Sequence, residues 1–219
     1  MKTLSSIQTK DRIAQAIRDE ILAGNVEPGE ELAQESLAQM LGVSRMPVRE
    51  ALQTLVQEGF AQRMPNRHIQ AVVLDGRQIH EVFQMAAAME TELALMAVWQ
   101  ESQSQGGSSK KECTMDGLLA CLSRMEAAVD TEPFIVLELE FHERILNGAE
   151  NPYLRQLQKK IMDGYVVYAI RNMGEKKKVY QILSKLAEDI QNREYESVRC
   201  RFQEYYQMYA DEMAGRCNQ

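Results

Sequence analysis

Apolar residues recur along most of this chain at the three- and four-residue intervals of helices that bury one face. Thr9 to Ala23 reads as the first helix: Thr9 caps it, Ile13, Ala16, Ile17 and Ile21 form its inward stripe, and Gly24 ends it. Residues 1–8 are expected to be a loose start. A turn punctuated by Pro28-Gly29 spans Val26 to Glu31. Leu37, Ala38 and Leu41 then give one face of a short helix, and Gly42 supplies the freedom a tight turn needs. Ser44 stands at the N-cap of the next helix, Arg45 to Glu58. Pro47 falls in its first turn, where a missing N–H costs nothing. Val48, Ala51, Leu52 and Leu55 are its buried stripe. Only one stretch departs from helical spacing: Phe60 to Met64, a turn at Pro65 to His68, and Ile69 to Val73 predict strand, turn, strand.

Past a linker at Leu74 to Arg77 the pattern is helical almost to the end. Predicted helices run over Ile79–Glu101, Met115–Val129, Phe134–Asn147, Pro152–Met173, Glu175–Asn192 and Glu194–Gly215, about six in all. Ser102 to Lys111 is polar and rich in Gly and Ser, as a flexible loop would be. Met85, Met89 and Met96 make a stripe suited to core or dimer packing. Lys176 to Lys178 reads as a solvated loop. The fold class that follows is mainly α: an N-terminal winged helix-turn-helix with a small two-stranded wing, then an all-α antiparallel bundle. The domain boundaries expected are 1–74 and 78–219.

Composition changes this picture in three places. The net charge of −7 argues against indiscriminate coating of nucleic acid. Between Ser44 and Ile69, however, Arg45, Arg49, Arg63 and Arg67 stand against Glu50 and Glu58, a local excess of two positive charges, with His68 in addition. Cys113, Cys121, Cys200 and Cys217 show no CxxC spacing and read as free thiols of a reducing cytosol. No apolar run approaches the roughly 18–20 residues of a membrane span, and Met1 to Arg12 lacks the apolar core of a signal peptide, so a cytoplasmic protein is expected.

The chemistry concentrates in the paired short helices. At about 100° per residue, Arg45 and Arg49 share a face roughly a quarter turn from the buried stripe. Two guanidinium groups one turn apart, near the start of an exposed helix, suit phosphates and guanine edges in a major groove. This is the pattern of a helix-turn-helix whose second helix reads DNA. Leu41-Gly42-Val43-Ser44-Arg45-Met46-Pro47-Val48-Arg49-Glu50-Ala51-Leu52 resembles the signature of the GntR family of transcriptional regulators, with Met46 at its variable position. Ile21-Leu22-Ala23-Gly24, Pro28-Gly29-Glu30-Glu31-Leu32 and Glu58-Gly59-Phe60 resemble the family's flanking stretches. DNA contacts are expected from Ser44, Arg45, Met46 and Arg49 on this helix, and Arg67 and His68 at the wing tip are candidates to enter the minor groove or touch the backbone. His68 stands where the family usually has Gly; it either touches DNA or is an exposed turn residue. Met46 stands where Thr is usual, and its thioether suits a thymine methyl. Glu35 stands where some relatives carry Arg, which would remove one phosphate contact.

Further on, Phe141-His142, Asn151-Pro152 and Leu154 resemble the FCD type of effector domain within that family. The resemblance implies a metal held by an acid and a His on one helix, with two further His from later helices. Glu138 and His142 supply the first pair at i, i+4. Leu183 and Tyr205 stand where the other two His would be, and the chain has only His68, His80 and His142. A Zn or Ni site of the family type is therefore disfavoured, and a hydrogen-bonded Glu–His pair is the simpler expectation. The family's R-x-x-x-E on the first bundle helix is here Ala86 and Glu90, so a cation for a carboxylate effector is also missing. Tyr165, Tyr168 and Arg171, at i, i+3 and i+6, are candidates to line a pocket with Glu138 and His142; ordinary core with one surface arginine is the alternative.

The expected function is a DNA-binding transcriptional regulator, a repressor, whose operator affinity is modulated by a small molecule in the helical domain. A homodimer would read a short inverted repeat. Two alternatives stand beside it. One is a constitutive DNA binder whose bundle only dimerises. The other is a metal-assisted hydrolase using Glu138 and His142, for which the chain offers no nucleophile, oxyanion site or full metal shell.

Overall fold

The structure, a computed structural model, describes residues 3–103, 115–148 and 151–217. Most of the expected loop from Ser102 to Lys111 lies outside these, as does Cys113. The chain forms two compact units. The first is built from the segment ending at Ile79, with Asp163–Tyr165 and the chain from Ala214 onward; the second comprises His80–Met162 and Val166–Met213.

In the first unit, α1 (Thr3–Leu22), α2 (Gln34–Leu41) and α3 (Arg45–Gln57) surround the predicted stripes. Ile13, Ile17 and Ile21 of α1 are buried with Val48, Ala51, Leu52 and Leu55 of α3. Each fully buried Leu contributes about 1.5–3 kcal/mol, so these stripes hold α1 and α3 together. Arg18 fixes the end of the pair: its Nε donates to Glu58 Oε2 at 2.7 Å and its Nη2 to Glu58 Oε1 at 3.0 Å. Two local expectations are corrected. The first helix begins at Thr3, so Thr9 lies within it rather than capping it, and residues 3–8 are helical rather than a loose start. Ser44 occupies the N-cap of α3 with extended backbone (φ −74°, ψ 159°), but its side chain makes no capping bond. Gly42 ends α2 in the left-handed region at φ 64°, which closes the tight turn.

The wing is β1 (Ala61–Arg63) antiparallel to β2 (Ile69–Ala71), with Gln62 opposite Gln70. The segment expected only to turn also pairs with β2. Glu31 bridges Gln70, Leu32 N donates to Ile69 O at 2.8 Å, and Ala71 N donates to Glu30 O at 2.8 Å. At the wing tip Arg67 adopts φ 69°, a conformation costly for any side chain but glycine's.

The regular elements of the second unit are all helices among its described residues. Its helices are α4 (Gly76–Gln103, whose first turn belongs to the first unit), α5 (Met115–Ala127), α6 (Thr131–Gly148), α7 (Pro152–Ile161), α8 (Val167–Asn172), α9 (Lys176–Asn192) and α10 (Tyr195–Cys217, whose last turn from Ala214 belongs to the first unit). The expected linker is shorter than Leu74–Arg77 because Asp75 and Gln78 form a reciprocal cap. Asp75 Oδ1 accepts from Gln78 N at 2.8 Å, and Gln78 Oε1 accepts from Asp75 N at 3.0 Å. The single helix expected over Pro152–Met173 is broken: Asp163 is extended (ψ 138°) and Gly164 takes φ 95°, ψ −120°, so α7 and α8 are separate. Lys176 to Lys178, expected as loop, form the first turn of α9. Phe134, Leu137, Phe141 and Ile145 of α6 are buried, as are Leu183 and Leu186 of α9 and Phe202, Tyr205, Tyr206 and Tyr209 of α10. Met85 and Met96 of the methionine stripe remain exposed on α4. Cys121 is buried in α5; burial first, then the Glu140 charge, push its thiol up to about 11, and its Sγ donates to Leu137 O. A thiol so protonated and enclosed is inert. Cys200 is free and exposed.

Candidate functional site

The exposed start of α3 presents Arg45, Met46 and Arg49 on one surface of the first unit. Buried Val48, Ala51 and Leu52 turn this face outward. The side chain of Arg45 is 66% exposed, yet it forms an ion pair with Glu35 of α2. Arg49 Nη2 approaches Met46 Sδ at 3.1 Å, and Met46 itself is largely exposed. On the wing, His68 Nδ1 lies 2.6 Å from Glu31 Oε1, and His68 N donates to Asn66 Oδ1 at 3.2 Å. Arg67 is exposed beside it. The six expected DNA-contacting residues thus fall into two groups: Ser44, Arg45, Met46 and Arg49 opening α3, and Arg67 and His68 on the wing. Sequence reading missed the acidic partners. Glu35 pairs with Arg45 and Glu31 lies against His68, and only folding reveals which carboxylate meets which base.

The second unit holds a cluster of buried polar side chains from three helices: Glu90 of α4, Glu138 and His142 of α6, and Tyr205, Tyr206 and Tyr209 of α10. Glu90, Glu138 and His142 are each no more than 4% exposed. His142 Nδ1 lies 2.7 Å from Glu90 Oε1, and His142 Nε2 lies 2.7 Å from Tyr205 OH. Tyr205 OH donates to Glu138 Oε1 at 2.6 Å, and Tyr209 OH donates to the same oxygen at 2.5 Å. Tyr206 OH donates to Glu90 Oε2 and also approaches Met162 Sδ at 3.1 Å.

One assignment satisfies the His142 and tyrosine hydrogen bonds together. Because the Tyr205 hydroxyl gives its proton to Glu138, His142 Nε2 must donate to the Tyr205 oxygen. His142 Nδ1 then faces the Glu90 carboxylate as a second donor, which makes the ring an imidazolium. The electrostatics agree. Burial pushes the His142 pKa down, but the Glu90 charge and hydrogen bond, with Glu138 behind them, outweigh it and leave the pKa raised. Glu138 is raised by burial against the lowering effect of the Tyr205 and Tyr209 hydroxyls and of His142. Burial and the neighbouring carboxylates hold all three tyrosines well above their ordinary value, so they remain hydroxyl donors.

The expected Glu138–His142 pair is thus corrected: His142 pairs directly with Glu90, and Tyr205 stands between His142 and Glu138. The Glu90 position was visible as the acid of the R-x-x-x-E stretch, and Tyr205 only as the residue at an expected His position. The donor set does not suit a divalent metal. Both His142 nitrogens are engaged, Leu183 offers no ligand, and Tyr205 stays protonated. No group of three His, Cys, Asp or Glu fit to hold a metal occurs among the described residues.

A cavity of about 400 Å³ lies beside this cluster, bordered by Glu138 of α6 and by Arg171 of α8. Two expected ligand residues therefore meet there. His142 does not line it, Tyr168 is half-buried elsewhere on α8's side of the fold, and Tyr165 packs with the first unit. Among the described residues no helix is long and apolar enough to cross a membrane.

Comparison with known proteins agrees with this architecture. Residues 9–69 match the model of bacterial regulatory proteins of the gntR family, and residues 81–207 match the FCD domain. The gluconate operon transcriptional repressor of Bacillus licheniformis is 27% identical over 176 residues, spanning 78% of this chain and 68% of that protein. A solved structure described as "Lar controls the expression of the Listeria monocytogenes agr system and mediates virulence" superposes with a TM-score of 0.64 at 19% identity, covering 100% of this chain and 98% of that one. The E. coli McbR/YncC structure superposes with a TM-score of 0.57 at 20% identity, covering 98% and 99%. These two likenesses bear on the fold alone. With a helix-turn-helix whose second helix exposes Arg45 and Arg49, and with family matches over both parts, the chain belongs to the GntR family of bacterial regulatory proteins, in the branch carrying an FCD domain, and is a DNA-binding transcriptional regulator rather than an enzyme.

Proposed function

We propose that this regulator is a cytoplasmic homodimeric repressor whose residues 1–74 read an inverted-repeat operator and whose residues 78–219 bind a small effector. Ser44, Arg45, Met46 and Arg49 contact bases and phosphates from α3, and Arg67 and His68 contact the duplex from the wing. Repression is the role in the name of the gluconate operon relative, which supports that part of the reading. The observation that carries the effector role is the cavity bordered by Glu138 and Arg171. A ligand seated there favours one arrangement of the dimer and the operator favours another, so each weakens the other by the same factor.

The test begins by selecting a binding site from random duplex DNA with the purified protein and measuring its affinity by fluorescence anisotropy. Arg49 is exposed, so Arg49→Ala is expected to weaken binding by about 1–3 kcal/mol while the circular dichroism melt stays in place. Unchanged affinity removes Arg49 from the interface. An effector that stabilises the protein against heat and shifts operator affinity supports the sensor. The closed hydrogen-bond network around His142 favours a second reading, in which the centre of the bundle is purely structural and the domain only dimerises. Operator affinity indifferent to every stabilising ligand would select that reading.

A further inference from the structure

Glu138 is the one member of the buried cluster that also borders the cavity beside it. Its Oε1 accepts both the Tyr205 and the Tyr209 hydroxyls. Its Oε2 has no hydrogen-bond partner among the described residues, although Glu138 as a whole is only 1% exposed. An unpaired carboxylate oxygen in so enclosed a place is costly, and buried polar groups without a partner call for an explanation. Among the described residues the fully enclosed, unpaired atoms are Gln158 Oε1 and Ser184 Oγ, so Oε2 keeps some surface, and Glu138 is one of the residues that line the cavity.

The rest of the wall narrows the chemistry. Phe134, Ile170 and Val179 are buried and give the cavity an apolar wall. Two of the charged side chains at its edge are already committed: Lys176 Nζ donates to Val129 O at 3.0 Å, and Glu212 accepts from Gly174 N at 3.0 Å. Arg171 is exposed and has no ion-pair or hydrogen-bond partner among the described residues. An acceptor oxygen at the enclosed end, an apolar wall and a guanidinium at the open end are the complement of a molecule with a cationic donor, a short hydrocarbon body and an anionic tail.

We propose that the cavity binds a small zwitterion of the amino-acid class, its ammonium group on Glu138 Oε2 and its carboxylate at Arg171. This rests on the effector-sensor reading above and names the chemical class of its ligand. A charged donor on an enclosed carboxylate makes a short, strong hydrogen bond, and the fixed fork of Arg171 suits a carboxylate. Burial raises the Glu138 pKa against the lowering effect of Tyr205, Tyr209 and His142, and an arriving ammonium adds a charged donor at the oxygen those groups leave free. A purely anionic effector has no such partner, because the carboxylate end of the cavity would repel it or offer at most one shared proton.

Isothermal titration of the full-length protein with 4-aminobutanoate, 5-aminopentanoate and 6-aminohexanoate tests this, with pentylamine and pentanoate as one-ended comparators. At least one amino acid of the series is expected to bind more tightly than pentylamine, and pentanoate is expected not to bind. Glu138→Gln should weaken the amino acid by about ten- to a hundred-fold. Arg171→Ala should reduce the amino acid to the level of pentylamine and leave pentylamine unchanged. No binding across the series, pentanoate binding as tightly as the amino acid, or a Glu138→Gln variant that binds normally would overturn the proposal. If Glu138→Gln does not fold, the Arg171→Ala comparison decides alone: convergence on pentylamine supports the site, and an unaltered preference for the amino acid overturns it. Operator affinity separates this from the sensor reading. An amino acid that binds without changing operator affinity leaves the site standing and removes the sensor. A response confined to carboxylates without an amine keeps the sensor and removes this ligand class.

Discussion

Removing one oxygen atom from the bundle, by Tyr205→Phe, tests the buried network directly. The phenylalanine fills nearly the same volume, so packing around this fully buried ring is preserved. What is lost is the hydroxyl that joins His142 Nε2 at 2.7 Å to Glu138 Oε1 at 2.6 Å. His142 then keeps a buried N–H without an acceptor, which costs about 1–3 kcal/mol, and Glu138 loses one of two donors, worth about 1 kcal/mol more. The expected destabilisation is about 2–4 kcal/mol. Tyr209→Phe is the internal comparison. It removes one donor to Glu138 and leaves the Tyr205 link whole, so about 1 kcal/mol is expected. Urea denaturation followed by far-ultraviolet circular dichroism measures both, each referred to the unmutated chain. The double variant should cost less or more than the sum, because the two hydroxyls share one carboxylate oxygen. Equal effects of the two single variants, or a loss under about 0.5 kcal/mol for Tyr205→Phe, would refute the assignment of Tyr205 as the bridge.

Three further outcomes follow from the same geometry. The folded-state pKa values of His142 and Glu138 both lie above their ordinary values of 6.5 and 4.5, so in each case the folded chain binds its proton more tightly than the unfolded chain. Their stabilisation is complete below the ordinary values and is lost as pH rises through the raised ones. Thermal stability should therefore fall with rising pH above about 6.5, and His142→Gln should flatten that slope; stability that rises over this range would contradict the imidazolium assignment. Glu140, held low first by its hydrogen bonds to Arg144, and Asp211, held low first by His80, act in the opposite direction but only at acid pH. On the DNA side, Glu35→Gln frees Arg45 from its ion pair; tighter binding to random-sequence duplex is expected, with a salt dependence steeper by about one unit, and an unchanged slope would show that Arg45 reaches no phosphate. Finally, Arg193 ends α9 in the left-handed region at φ 58°, so Arg193→Gly should raise stability by about 0.5–1 kcal/mol in a urea melt; a loss would mean that its side chain contributes more than the backbone strain costs.

Signals confined to a few neighbouring residues were legible in the sequence. The stripe Val48, Ala51, Leu52 and Leu55 alone is enough to orient α3, because a helix repeats every 3.6 residues and must bury its apolar face. The wing was legible from its turn residues and alternation. The break between α7 and α8 was not, because Gly164 inside an otherwise regular apolar pattern is compatible with an unbroken helix until packing demands φ 95°.

The candidate site divides along the same line. The sequence by itself determined the helix-turn-helix, the two-part order of the chain, and the absence of the two histidines that would complete a family metal site, since each depends on which residues are present and on short-range spacing. Only the tertiary structure decided that Arg45 meets Glu35, that His142 pairs with Glu90 across 52 positions of sequence, and that Tyr205 links it to Glu138 across 67. Periodicity fixes which side of a helix is buried but not which residue of another helix lies opposite. That choice is made by the packing of whole apolar faces, and the polar side chains carried inward with them pair with whatever donors and acceptors the packing brings within reach.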